Sequence, residues 1–118
     1  MSALPAEIAA VLGDYAAGLV PDRAAERAAV KGSLAILVDR APGRSVEVRI
    51  PPYAAVQVIA GTTHRRGTPS AVVEMDARTW LQLATGERSW ADAVAEGSVR
   101  ASGARSDLGS LLPLRMSS

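Results

Sequence analysis

The sequence predicts an α+β fold: a mostly antiparallel sheet of four to five strands with helices on one face, in the order ααβββααβα. Three observations lead there. Apolar residues at helical spacing occupy both ends of the chain, a strictly alternating strand and two further β-rich runs lie between them, and Gly, Pro and Asp punctuate the junctions.

Ile8, Val11, Leu12, Tyr15 and Leu19 recur at offsets of 3, 4, 7 and 11, one stripe of a first helix over residues 5 to 19 that Pro21 should end. A second helix runs from Arg23 with Val30, Leu34, Leu37 and Val38 on one face. Pro42-Gly43 stops it, and Gly32 weakens it slightly. Residues 1 to 42 thus form a helical segment ahead of a sheet-bearing part at 45 to 112, within a single domain covering 1 to 118.

Val46-Glu47-Val48-Arg49-Ile50 alternates apolar and charged residues, as a strand with one dry and one wet face must. Pro51-Pro52 breaks the ladder, and residues 54 to 59 give a second strand, antiparallel by proximity. Residues 61 to 70 form a Gly/Pro-bearing loop, and 71 to 75 a third strand.

Asp76 stands where a carboxylate can accept the free N–H groups of a helix start; Thr79, Trp80, Leu81, Leu83 and Ala84 follow, up to Gly86. Ser89 and Asp92 are a capping pair for a short helix through Trp90 and Val94, closed by Gly97. Residues 99 to 102 read as a fourth strand. Ser106 or Asp107 opens a last helix carrying Leu108, Leu111 and Leu112, which Pro113 ends.

Composition narrows the function. The 118 residues carry a formal charge of +1, with no like-charge run longer than His64-Arg65-Arg66, so nucleic acid, whose phosphates call for a concentrated basic face, is not an expected partner. The absence of cysteine excludes disulfides, thiolate metal sites and cysteine nucleophiles. The opening residues lack a basic n-region and a long apolar stretch, and no window approaches the ~20 apolar residues of a membrane span, so a cytoplasmic protein without stable membrane insertion is expected. Lys31 is the only lysine, a usage associated with GC-rich bacterial genomes.

Catalysis finds little to stand on. His64 is the one histidine, it lies in a polar Arg-rich loop, and no G-x-S-x-G elbow accompanies it. Residues 61 to 68 lack the spacing and lysine of a phosphate loop, and one His without Cys makes no metal centre. No catalytic residue, metal or cofactor is therefore expected. His64, Arg65 and Arg66 suit a mouth for a carboxylate or phosphate head group, with a solvated loop as the plainer alternative.

From Val72-Val73-Glu74-Met75-Asp76 to Leu112 the chain resembles the C-terminal half of the sterol carrier protein 2 family. The matching residues are Asp76, Trp80, Leu81, Leu83, Gly86, Ala93, Gly97, Val99, Gly103, Leu108, Leu111 and Leu112, over about a third of the chain. Residues 41 to 49, 51 to 57 and 64 to 69 look like the family's bacterial, actinobacterial branch. Gly103 is followed by Ala104-Arg105 where the family often has an acidic residue, and the strands before Asp76 are fewer and shorter than in eukaryotic members.

The resemblance implies a curved sheet covered by helices, with an apolar tunnel between them for a fatty acid or sterol-like lipid. Its expected lining is Val56, Val58, Trp80, Leu81, Leu83, Trp90, Val94, Leu108, Leu111 and Leu112. An empty tunnel of ~300 Å³ would cost about 7 kcal/mol at ~24 cal/mol per Å³, so a ligand fills it or the helices collapse into it. The collapsed form would be an accessory or protein-interaction module, similar to the domain that ends mycothiol-dependent enzymes such as maleylpyruvate isomerase. A homodimer or partner protein is open on either reading.

Overall fold

The structure is a computed structural model that describes residues 4–61, 71–103 and 107–114. Helix α1 (Glu7–Ala16) buries Ile8, Val11 and Leu12 as their spacing predicts, with Tyr15 partly buried. It is shorter than expected. Gly18 adopts φ 73° and donates its N–H to the Tyr15 carbonyl, so the chain leaves the helix before Pro21. Leu19, expected on the buried stripe, is consequently 61% exposed.

Helix α2 (Arg23–Arg40) is capped by Asp22, whose carboxylate accepts the Ala25 N–H at 3.1 Å. Val30, Leu34 and Leu37 are buried and Val38 partly so. Gly32 has a packing reason that the sequence did not disclose: a Cβ there would lie 2.5 Å from Cγ of Pro5. The missing side chain lets the segment entering α1 lie directly on α2.

Strands β1 (Val46–Ile50) and β2 (Ala54–Val58) form the expected antiparallel hairpin, in the register Val46↔Val58 to Ile50↔Ala54. The Tyr53 N–H donates to the Ile50 carbonyl at 2.9 Å across the turn, and the Pro51–Pro52 peptide is cis. On its other side β1 pairs in parallel with β3 (Ala71–Glu74), which pairs antiparallel with β4 (Arg100–Gly103). The sheet order is β2-β1-β3-β4, so the parallel pairing sits at its centre. Alternation divides the faces. Val46, Val48, Ile50, Val58, Ala71 and Val73 are buried, whereas Glu47, Arg49 and Arg100 belong to the wetter face, where Arg49 Nε meets Glu47 Oε2 at 3.1 Å.

Asp76 caps α3 (Ala77–Thr85) by accepting the Thr79 N–H at 2.8 Å, and Gly86 ends it with φ 87°. Ser89 caps α4 (Trp90–Ala95) through the Asp92 N–H at 3.1 Å. Both caps fall where the sequence put them.

The last helix does not form. In its place is one 3-10 turn, Gly109–Leu111, entered through an Asp107 carboxylate that accepts the Gly109 N–H at 2.6 Å. Between Asp107 and Pro113 there is room for little more than a turn, too short to propagate an α-helix. The segment is anchored by side chains instead. Leu108 and Leu114 are buried, the Leu114 N–H donates to the Ala84 carbonyl at 2.8 Å, and Arg40 donates to the Leu114 carbonyl at 2.9 Å.

One apolar cluster joins α1, α2, the sheet, α3 and the closing segment. α2 packs on β2 and on α3, and α1 packs on α2 and α3.

Candidate functional site

The residues expected to line a tunnel separate into an inner and an outer set. Trp80, Leu81 and Leu108 are 0% exposed, Leu83 1% and Val58 0%, all within the central cluster. Val56, Trp90, Leu111 and Leu112 are partly buried against it, and Val94 faces solvent at 45% exposure. The fold thus brings the sheet, α3 and the closing segment together around Trp80, and leaves Val94 on the outer side of α4.

The interior around Trp80 is closed by polar as well as apolar contacts. Its indole N–H donates to Ser33 Oγ at 2.8 Å, and the Ser33 hydroxyl in turn reaches the carbonyls of Ala29 at 2.7 Å and Val30 at 3.0 Å. With Trp80, Leu81 and Leu108 at 0% exposure, an acyl chain reaches them only if an element moves.

An open apolar surface does exist, along α1. Leu4, Pro5, Ile8, Ala9, Leu12, Gly13 and Ala16 line a groove of about 550 Å³ that Thr85, the last residue of α3, and Glu87 complete. Its floor is Ile8 and Leu12, members of the same cluster as Trp80, Leu81 and Leu83. Small residues make its width: Ala9, Gly13 and Ala16 follow one another at offsets of 4 and 7, and a Cβ on Gly13 would meet nothing within 4 Å. That spacing is visible in the sequence, but it lies beside the large-residue stripe and draws no attention until α3 is placed next to it.

A polar clasp ties α1 to the rest. Tyr15 of α1 donates its hydroxyl to Glu26 Oε2 on α2, and Tyr53 from the β1–β2 turn donates to Glu26 Oε1 at 2.5 Å. Arg78 of α3 lies over the Tyr15 ring, 5.5 Å from its centre. Burial, and then the bond to the Glu26 carboxylate, push the Tyr15 phenol well above its ordinary range; for Tyr53 the bond to Glu26 leads and burial follows.

His64, Arg65 and Arg66, the expected head-group contacts, lie outside the described residues. Among the described residues no group of three or more His, Asp or Glu side chains converges as metal ligands would, and no helix is long and apolar enough to cross a membrane.

A family model described as bacterial SCP ortholog matches residues 22–114. The match begins at the cap of α2 and takes in the whole sheet and the closing segment, leaving α1 outside it. No curated protein matches the chain.

Proposed function

The chain belongs to the family of bacterial SCP orthologs, and from that premise we propose that it is a lipid-binding carrier that holds a fatty acid or a similar single-tailed amphiphile. The observation that carries this reading is the apolar groove beneath α1, whose floor is the outer surface of the central cluster. A tail laid on Ile8 and Leu12 is separated from Trp80, Leu81 and Leu83 only by packed side chains. Outward movement of α1 then lets it reach the interior lining, with Val56, Val58, Leu108, Leu111 and Leu112 at the sheet and closing-segment end and Trp90 on α4. His64, Arg65 and Arg66 are proposed to meet the head group.

Magnitudes support modest affinity. Burying about ten methylenes gains ~8 kcal/mol gross at ~0.8 kcal/mol each. Association and tail ordering take back at least ~4 kcal/mol of that, so the tail alone reaches about millimolar affinity, and charge-assisted head-group contacts of ~1.5–3 kcal/mol bring binding below about 100 μM. No chemical step is assigned; the protein acts as a carrier in the cytoplasm.

The filled interior favours a second reading, a non-binding interaction module of the same fold, because a core with Trp80 at 0% exposure stands without a ligand. Titration with a fluorescent fatty acid, with native mass spectrometry of the purified protein, separates the two. Saturable one-to-one binding supports the carrier. An empty protein that shows no saturation up to about 100 μM leaves the interaction module, since that limit corresponds to less than ~6 kcal/mol of binding.

A further inference from the structure

A second concavity, unlike the apolar groove in chemistry, lies where the first half of α2 faces the β1–β2 turn. It has a volume of about 730 Å³ and is lined by Arg23, Ala24, Arg27, Ala28, Lys31, Pro52 and Tyr53. The cations stand at four-residue intervals, so the helix repeat brings all three to one face, about 6 Å apart along the axis. Ala24 and Ala28 form a low floor beside them, and the turn supplies a wall.

Three features suit this groove to an anion rather than to bulk solvent alone. Among the described residues neither Arg23, Arg27 nor Lys31 has an ion-pair or hydrogen-bond partner. The two carboxylates of the same stretch are already engaged: Asp22 accepts the Ala25 N–H, and Glu26 accepts both tyrosine hydroxyls. Lastly, two guanidinium groups and an ammonium converging on one concavity match the several acceptor oxygens of a phosphate better than the two of a carboxylate.

The geometry points to this groove as a binding site for a phosphate-bearing anion, separate from the apolar groove under α1. Two sources share that chemistry, a free phosphate ester and a phospholipid head group at a bilayer surface. The loop before Arg23 bears on the choice, because Val20 is 92% and Leu19 61% exposed. Apolar side chains standing free next to a row of cations are what an anionic bilayer surface takes up.

The test uses the full chain with two probes. One is inorganic pyrophosphate, followed by calorimetry. The other is sedimentation with phosphatidylcholine vesicles containing about one third phosphatidylglycerol, against vesicles of phosphatidylcholine alone. Arg27→Glu/Lys31→Glu changes two exposed side chains that take no part in the core or the apolar groove. Wild type should bind at least one probe, more weakly as salt rises, and the double variant should lose about tenfold or more of that affinity. Pyrophosphate binding identifies a free phosphate ester as the source. Binding to anionic vesicles alone, weakened also by Val20→Ser, identifies the head group. The proposal is overturned if neither probe binds, or if the double variant binds as wild type does. Fatty-acid binding by the double variant is expected to stay unchanged, so this result is read independently of the carrier function.

Discussion

The indole N–H of Trp80 on α3 and the hydroxyl of Ser33 on α2 meet at 2.8 Å, with both residues 0% exposed. Trp80 is the largest fully buried side chain, and Ser33 is one of the few buried polar residues. The pair sets the register of α3 against α2, because the indole must bring its one donor to the Ser33 hydroxyl. Ser33→Ala removes that acceptor and strands the N–H in an apolar core. The expected cost is about 1–3 kcal/mol, read as a lower urea midpoint at unchanged m-value. Trp80→Phe in the Ser33→Ala background should then cost less than Trp80→Phe alone, since its donor is already wasted. Equal costs in the two backgrounds would show that the bond contributes nothing.

Gly43 sits where the exit from α2 crosses the end of β2. A Cβ there would lie 2.1 Å from the Ile59 carbonyl carbon and 2.2 Å from the Ala60 nitrogen, and its φ is 153°. Backbone cannot yield as a flexible side chain can. Ile59 is itself pinned at φ 68°: its N–H donates to the Ala41 carbonyl, and its own carbonyl accepts from the Ser45 N–H and hydroxyl. Gly43→Ala is therefore expected to destabilise by more than about 3 kcal/mol or to prevent soluble expression. A thermal midpoint within a few degrees of wild type would mean that the junction is looser than this packing.

Much of the fold was legible because the signals were local. The alternation at Val46 to Ile50 fixed β1 to the residue, and Asp76 and Ser89 announced helices that their carboxylate and hydroxyl do cap. The misses came from competition between signals. Leu19 fits the α1 period, but Gly18 ends the helix first and turns it outward. Leu108, Leu111 and Leu112 have helical spacing, but a span closed by Pro113 is too short to use it. The parallel β1–β3 pairing and the groove under α1 were hidden for another reason: both depend on which distant segments become neighbours, and a single sequence does not carry that information.

Stability at high pH should report on the Tyr15–Glu26–Tyr53 clasp. Both phenols are held above their ordinary value of 10.0 in the folded protein, so the unfolded chain releases these protons first as pH rises. Folded protein then binds more protons than unfolded, and stability falls with pH. The contribution is complete below about pH 10 and is lost progressively above it. Urea midpoints measured from about pH 9 to 11 should decline more steeply for wild type than for Tyr15→Phe/Tyr53→Phe, which has no phenol to titrate. Parallel declines would remove the clasp from the explanation.

Gly13 separates stability from ligand binding. It lies inside α1, on the groove wall, with open space where its Cβ would be. Gly13→Ala should therefore stabilise the helix by about 0.5–1 kcal/mol, because glycine loses more backbone freedom on folding than alanine and nothing clashes. Gly13→Leu keeps most of that gain and projects an isobutyl group into the space proposed for an acyl tail. The Leu variant should melt no lower than wild type yet bind a fluorescent fatty acid at least about tenfold more weakly, since ~1.4 kcal/mol of lost tail burial is enough for that factor. If binding occurs but Gly13→Leu leaves it unchanged, the tail does not lie under α1. The lining around Trp80 would then have to be reached from the sheet or the closing segment, and Leu108→Ala or Val58→Ala should alter affinity where Gly13→Leu does not.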